Sequence, residues 1–344
     1  GQDAALVAPG TLVVLYGDGL ATETVSAPED ATELPREFGG IRLYFDGIEA
    51  PLLMVSPTQI NAQLPWEVAD ATSVNAYVRM ERPDGTFTTS PVAVPIIRQN
   101  PGIFAFEGVD PRPGILTHFS DRATGTVSVD GSINPGDIAT VVIEDREYSY
   151  TVKTDDTLAI VRDELIKLIN EAEGEKVEAF SAGVFTRIRL RAKEAGAAGN
   201  GLVYSAKTNE GGQVIMTATT PALCCANEQG ALITEDNPAL PGETIVVTAT
   251  GLGALKDEAN QSLIQTGAAF TGSSINEPAE FVSSLAGGKT ANVLYAALKP
   301  GAIGIYEVHL ELNSDLPTNS KTQVTIAQDI YVSNVVTFPL KNPN

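Results

Sequence analysis

The sequence has few of the side chains that most often carry catalysis or hold a metal ion. Its 344 residues include two cysteines, two histidines and one tryptophan. His118 and His309 lie far apart in the sequence, and the chain contains neither a G-x-S-x-G nor an H-E-x-x-H motif. Two thiols and two imidazoles also make a poor zinc site. We therefore expect a protein that is not an enzyme and needs no cofactor.

Positive charge and long apolar segments are scarce as well. Lysine and arginine number 22 against 43 aspartates and glutamates, which gives a net charge of -21. Such a surface repels phosphate backbones and anionic membranes. No apolar run reaches the roughly 18 residues that a membrane-spanning helix needs. We therefore expect no nucleic-acid partner and no membrane insertion.

The abundant residues indicate short strands, many turns and an internal repeat. The chain has 31 glycines and 21 prolines, which is typical of a β protein rich in turns. Residues 9–20 (PGTLVVLYGDGL) recur in the same register as residues 241–252 (PGETIVVTATGL), and residues 46–56 share a pattern with residues 287–297. A repeat at a fixed offset is typical of duplicated units. The identical positions of the first pair are Pro9/Pro241, Gly10/Gly242, Val14/Val246, Gly19/Gly251 and Leu20/Leu252.

The middle of the chain has a different pattern. Residues 136–154 predict a β-hairpin, and residues 157–171 predict a helix because their apolar residues recur every three or four positions. The sequence thus predicts a mainly β protein with two immunoglobulin-like β-sandwiches and an inserted α+β module containing one main helix. We place the first sandwich at residues 1–110, the insert at residues 111–227 and the second sandwich at residues 228–344.

Several stretches of the chain resemble the TIG/IPT-type immunoglobulin-like domains. APLLMVSPTQINAQLPWE (50–67), NPGIFAF (100–106) and NPALPGETIVVTATGLG (237–253) look like a paired-domain family of uncharacterised secreted acidobacterial proteins. That resemblance covers nearly the whole chain, including the CCAN tetrapeptide at residues 224–227. It implies secretion and an immunoglobulin-like fold. It implies no activity and transfers no catalytic residue.

The two cysteines are neighbours in the sequence. Because adjacent residues of a strand point to opposite faces, Cys224 and Cys225 cannot form an ordinary long-range bridge with each other. Three interpretations stay open. These are two packed thiols, a disulfide between neighbouring residues in an oxidising compartment, and bridges to other subunits.

Two segments are candidates for contacts between copies of the chain. An apolar stretch near the N-terminus could add as a strand to the open sheet edge of a neighbour; its residues are Ala4, Ala5, Leu6 and Val7. Arg187, Arg189 and Arg191 alternate along one predicted strand and would share a face. This basic stripe could pair with acidic residues of a neighbouring copy or with local carboxylates.

Paired carboxylates and the single tryptophan are the other candidate site residues. The pairs Asp155/Asp156, Glu235/Asp236 and Asp257/Glu258 read most simply as solvated turns or helix caps. A calcium site in an extracellular loop and a glycosidase pair are the alternatives. For Trp66 we expect packing in the core or between domains in preference to a sugar platform.

We expect a structural role outside the cell. The start at Gly1 and the low lysine content lead us to expect export with a cleaved signal peptide, to the extracellular space or the cell surface. We expect a self-assembling subunit of a surface filament or layer, and hence a homo-oligomer or polymer. The alternative is an adhesin-like binding module that recognises a glycan or a surface protein through the insert.

Overall fold

The computed structural model of the chain describes residues 5–181 and 186–342. Antiparallel β-sheets dominate these residues, which also contain two α-helices. The expectation of a mainly β fold is confirmed. No helix in the described part of the chain is long and apolar enough to cross a membrane.

The first sandwich consists of two antiparallel sheets. Ile41, Leu43 and Phe45 point into its core because successive strand residues face opposite sides, and all three are buried. Its strands are β1 (Leu12–Tyr16), β2 (Val25–Ser26), β3 (Ile41–Phe45), β4 (Ile48–Glu49), β5 (Leu52–Val55), β6 (Gln59–Gln63), β7 (Ser73–Arg82), β8 (Gly85–Thr88) and β9 (Val92–Pro95). One sheet has the order β1-β6-β5-β2 and the other the order β4-β3-β7-β8, with β9 paired to β7.

Two short strands and the insert follow the first sandwich. The short strands are β10 (Gly102–Ile103) and β11 (Leu116–His118). The insert contains β12 (Thr124–Gly131), β13 (Ile138–Ile143), β14 (Arg146–Thr151), helix α1 (Leu158–Glu171), β15 (Val177–Ser181), β16 (Arg187–Ala192), β17 (Tyr204–Thr208) and β18 (Val214–Ala218). Its sheets have the orders β15-β16-β12-β18 and β14-β13-β17.

Helix α1 confirms the predicted helix. The Thr157 hydroxyl accepts a hydrogen bond from the backbone N–H of Ile160 at 3.2 Å, which caps the first turn. Val161, Leu165 and Ile169 form its buried stripe and pack in the core of the insert. The hairpin predicted at residues 136–154 is also present, as β13 and β14.

The sequence of the second sandwich is interrupted by the insert. Its later elements are β19 (Thr244–Thr250), α2 (Glu258–Gln261), β20 (Val282–Ala286), β21 (Lys289–Thr290), β22 (Asn292–Leu298), β23 (Tyr306–Glu311), β24 (Asn319–Gln328), β25 (Tyr331–Val332) and β26 (Val336–Leu340). β10 and β11 both pair with β19, so they belong to this sandwich. The insert therefore lies between two strands of the second sandwich, β11 and β19, and the boundary placed at residue 110 does not separate the units. The boundary at residue 227 lies close to Cys224, where the chain leaves the insert. Strands of two and three residues are too short to show a periodic pattern.

The neck of the insert is narrow. Thr124 and Cys224, where the chain enters and leaves the module, are joined by two backbone hydrogen bonds of 2.8 and 3.0 Å. The two crossings of the chain thus run side by side.

The two sandwiches repeat the same topology. The order β1-β6-β5 corresponds to β19-β23-β22, and β4-β3-β7-β8 with β9 corresponds to β21-β20-β24-β25 with β26. β5 has a register shift between Leu52 and Met54, and β22 has one between Val293 and Tyr295. Equal strand orders and equivalent bulges agree with the duplication that the sequence repeat predicts.

Candidate functional site

A seam of hydrogen bonds joins the two sandwiches. The side chain of Gln63 is buried; it donates to the carbonyl of Gly10 at 3.2 Å and accepts from the N–H of Gly267 at 2.7 Å. The N–H of Leu34 donates to the carbonyl of Gly267 at 2.7 Å. The two bonds to Gly267 connect the first sandwich to a segment of the second that is about 200 residues away in the sequence, so they join the two sandwiches along this line.

Trp66 packs at the seam. A Cβ atom added at Gly10 would lie 2.2 Å from the indole ring, so the ring rests directly on the glycine backbone. The backbone N–H of Trp66 donates to the Thr266 hydroxyl at 2.9 Å, and that hydroxyl donates to Glu67 at 2.6 Å. Trp66 is thus placed between domains, as expected from the sequence.

An open groove of about 680 Å³ lies beside Trp66. We call it the Trp66 groove, and its walls come from both sandwiches. Its lining residues are Thr32, Glu33, Arg36, Trp66, Glu67, Ile264, Gln265, Thr266 and Ala268. The segment 264–268 could not be foreseen, because nothing in its sequence shows that it approaches Trp66.

The arginine stripe lies within the chain. Arg187 donates to the carbonyl of Val293 in the second sandwich, and Arg191 pairs with Glu178 of the insert at 2.7 Å. Arg189 is 1% exposed. The stripe predicted to serve contacts between subunits is therefore used inside one subunit, where it packs the insert against the second sandwich.

Arg189 lies among aromatic rings at this contact. Its guanidinium is 5.1 Å from the ring centre of Phe119. The ring of His309 lies between those of Phe119 and Tyr295 in tilted contacts, with centre-to-centre distances of 4.8 and 4.5 Å. Burial lowers the pKa of Arg189 to about 10, against the opposing effect of Glu311, so the group stays charged at neutral pH. Burial and the charge of Arg189 lower the pKa of His309 to about 3. The neutral imidazole of His309 then acts as a packed ring.

The two cysteines are bonded to each other. Of the three interpretations left open, the structure has the disulfide between Cys224 and Cys225. The two sulfurs lie 3.5 and 3.9 Å from the carbonyl oxygen of Pro241, the first residue of the second repeat. The pair thus lies where the chain returns from the insert to the second sandwich.

A buried ion pair lies close to the cysteines. His118 and Glu243 are 1% and 2% exposed, and Nδ1 of His118 contacts Oε1 of Glu243. Nε2 lies 3.3 Å from the carbonyl oxygen of Asn237, and Glu243 also accepts from the N–H of Leu240 at 2.8 Å. Burial lowers the pKa of His118, but the hydrogen bond and the charge of Glu243 outweigh it and raise the pKa. Sequence reasoning missed this pair because its members are 125 positions apart.

Leu6 and Val7, from the segment predicted to donate a strand, contact their own chain. Val7 forms a parallel bridge to Ile96, with backbone hydrogen bonds of 3.2 Å to the carbonyl of Pro95 and 3.0 Å from the N–H of Ile97. Asn100 donates to the carbonyl of Leu6. Four residues were predicted to donate a strand to a neighbour. Of these, Ala4 lies outside the described residues, and Leu6 and Val7 form hydrogen bonds within the same chain.

Two exposed apolar surfaces are built from strands that contain no carboxylate. The first, which we call the N-edge, is the outward side of strand β1, where Val14 is 47% and Tyr16 is 73% exposed. Among the described strands only β6 pairs with β1. On the other edge of β1 the N–H of Leu12 donates to the Thr250 hydroxyl at 3.1 Å, so only the part beyond Leu12, with Val14 and Tyr16, is available for pairing. The second, which we call the C-face, is the outer side of the sheet β20-β24-β25. Strand register places on it Ser283, Leu285, Thr325, Ala327 and Val332.

Asp156 and Asp257, from two of the acidic pairs, bond to groups close to them in the sequence. Asp257 caps helix α2, where it accepts from the backbone and side-chain nitrogens of Asn260 at 3.0 and 2.8 Å. Asp156 accepts from the Tyr150 hydroxyl at 3.0 Å and from the N–H of Lys153 at 2.7 Å. The described residues contain no group of three acidic, histidine or cysteine side chains arranged to hold a metal ion.

The known proteins described below are distant likenesses of this chain. No protein family and no curated protein matches the sequence. Among solved structures, the endo-fucoidan hydrolase MfFcnA4 of glycoside hydrolase family 107 shares 8% identity over 99% of this chain, with a TM-score of 0.14. A substituted form of that hydrolase gives 9% identity over 100% of the chain and a TM-score of 0.16. The chain spans 43% of the length of the hydrolase.

The third similar structure belongs to a bacterial adhesin. It is the N-terminal domain of the Streptococcus gordonii adhesin Sgo0707, with 9% identity over 98% of this chain and 94% of that one. Its TM-score is 0.12. At these scores none of the likenesses carries an inference about function.

Proposed function

We propose that the protein is a non-enzymatic, extracellular structural subunit that assembles with copies of itself. The N-edge and the C-face carry this proposal. A net charge of -21 makes copies of the chain repel one another, and this repulsion is weakest where surfaces free of carboxylates meet. Both surfaces meet that condition and expose large apolar side chains.

The two surfaces lie on different sandwiches. The open edge of β1 can pair with a strand of a second chain, since its outward residues Val14 and Tyr16 include neither a lysine nor a proline that would block pairing. The C-face offers a sheet surface for packing. A subunit with two separate contacts can extend into a polymer, whereas one contact with two-fold symmetry closes at a dimer.

The wider setting belongs to the same proposal. The resemblance to TIG/IPT-type domains, the duplicated sandwiches and the disulfide at Cys224 and Cys225 support an immunoglobulin-like surface protein in an oxidising compartment. The hydrogen-bonded seam also supports a structural role. Because Gln63 bonds to both sandwiches, it restricts their relative motion, and a rigid subunit gives an assembly a defined shape.

Electron microscopy and light scattering test the assembly. We expect the wild-type protein to form larger assemblies as salt rises to about 0.5 M, because salt screens the repulsion between acidic copies. Tyr16→Glu and Leu285→Glu should each stop growth at small oligomers, and together they should leave monomers. Thr86→Glu adds the same charge on exposed strand β8 and should assemble like wild type. A wild-type protein that stays monomeric at every salt concentration contradicts the proposal.

A cleft on the insert favours the adhesin-like alternative. It has a volume of about 430 Å³, and the exposed Lys176 and Lys193 line it with Glu194 and Leu202. Two lysine side chains on an acidic protein could hold a ligand that the remaining surface repels. Loss of binding to a glycan array or to a surface protein after Lys176→Ala and Lys193→Ala, with assembly unchanged, would favour this function.

A further inference from the structure

We propose that the Trp66 groove binds a neutral oligosaccharide. The groove lies apart from the N-edge and the C-face, and the proposal does not depend on self-assembly. Its volume of about 680 Å³ falls in the range of small-molecule pockets, about 300 to 1,000 Å³. Its lining combines a fixed indole ring with polar side chains, which is the chemistry that a sugar ring can use.

The apolar part of the groove is formed by Trp66, Ile264 and Ala268, so the indole ring that packs between the two sandwiches also lines the groove. An indole ring offers a flat apolar surface with one N–H donor, so it can contact the C–H face of a sugar and donate to a hydroxyl. The position of the ring is set by Gly10 beneath it and by the bond from its backbone to Thr266. Because this ring is already held in place, ligand binding costs little ordering.

The polar part of the groove contains hydrogen-bonding groups that have no partner among the described residues. Among the described residues, the indole N–H of Trp66 and the side chains of Glu33 and Gln265 have no hydrogen-bond partner. Arg36 is held by the carbonyls of Glu49 and Thr266, the latter at 3.4 Å. The groove therefore has fixed members that shape it and free members that can bind hydroxyl groups.

Charge selects the kind of saccharide. Glu33 and Glu67 contribute two carboxylates against the single guanidinium of Arg36. Sugar hydroxyls can donate to these carboxylates, and such charge-assisted bonds are stronger than neutral ones. A uronate or sulfated chain would bring like charge to the same place. We therefore assign the groove to uncharged saccharides.

A second cavity borders the same tryptophan and supplies a control. It has a volume of about 350 Å³ and is lined by Pro9, Arg98, Leu252 and the exposed Glu280, among others. Glu280 and Glu33 are both exposed glutamates beside Trp66, one in each cavity. The same substitution at the two positions shows which cavity a ligand enters.

Fluorescence of Trp66 reports directly on the site, because the chain has one tryptophan. We expect cellotetraose, xylotetraose or chitotetraose to change its emission saturably at concentrations up to about 10 mM, which reaches well past a Kd near 1 mM. Polygalacturonate should produce no change. Absence of a saturable change with all three neutral probes would overturn the proposal.

Two variants assign the contact to the groove. Glu33→Gln should weaken binding about tenfold, because it removes a hydrogen bond to a charged group. Gln265→Ala should weaken binding about fivefold, because it removes a hydrogen bond to a neutral group. Both side chains are exposed, so the fold should persist. Glu280→Gln should bind like wild type. Unchanged affinity in both groove variants, or weaker binding in Glu280→Gln alone, would refute the assignment.

Discussion

Gly251→Ala should destabilise the protein by about 4 kcal/mol or more, an unusually large effect for one methyl group. Gly251 has a φ of +78°, and a Cβ atom added there would lie 2.2 Å from the carbonyl oxygen of Asn100. That oxygen belongs to backbone whose N–H already donates to the Gly251 carbonyl at 2.8 Å. The segment cannot move away without breaking this bond, so the left-handed backbone and the close approach both oppose the substitution. Urea unfolding of the two proteins measures the difference.

Gly19 provides the matched control from the other repeat. It occupies the equivalent position and has a φ of +64°, but an added Cβ atom would meet nothing within 4 Å. Gly19→Ala should therefore cost only about 1 kcal/mol, the strain of the left-handed backbone. Equal losses at Gly19 and Gly251 would show that the contact with Asn100 contributes nothing.

His118→Phe should cost about 3 kcal/mol at pH 6, because it leaves the carboxylate of Glu243 buried without its cation. The imidazolium donates to Glu243 from Nδ1 and can donate to the carbonyl of Asn237 from Nε2, so both of its N–H groups are used. Only the N–H of Leu240 would still bond to the carboxylate of the variant. Denaturant titration of wild type and variant at this pH tests the loss.

The pH dependence separates the two histidines. The pKa of His118 is raised in the fold, so its contribution is complete below the unfolded value of 6.5 and is lost as pH rises through the folded value. The pKa of His309 is lowered to about 3, so its unfolded form takes up a proton first and stability falls as pH drops below 6.5. His118→Phe should abolish the decline above pH 6.5, and His309→Phe should reduce the decline below it. Parallel pH profiles for both variants would contradict these assignments.

The repeated scaffold could be predicted from the sequence, because its signals are local. Pro9, Gly10 and Gly19 match Pro241, Gly242 and Gly251 within twelve residues, and both glycine pairs have positive φ angles. Helix α1 was also predictable, since its buried stripe and its cap lie within one segment. The strands β10 and β11 escaped prediction because they gain their structure only by pairing with β19.

Features that depend on distant contacts were harder to predict. The alternation of Arg187, Arg189 and Arg191 correctly indicated a shared face, but it could not show that the second sandwich covers that face. The packing of Trp66 between domains was foreseen from its type and setting. The opposite wall of its groove, at residues 264–268, comes from a loop about 200 positions away.

The neck at Thr124 and Cys224 has a consequence for a subunit under tension. If the chain assembles as we propose and the assembly is pulled, force would enter each chain through backbone outside the insert and follow the shortest covalent or hydrogen-bonded path. The two backbone hydrogen bonds between Thr124 and Cys224 join positions about 100 residues apart, so force can pass between them without loading the insert. The insert would thus stay unloaded until that bridge ruptures, and its hundred residues would then act as reserve length that lets the subunit extend before the sandwiches unfold.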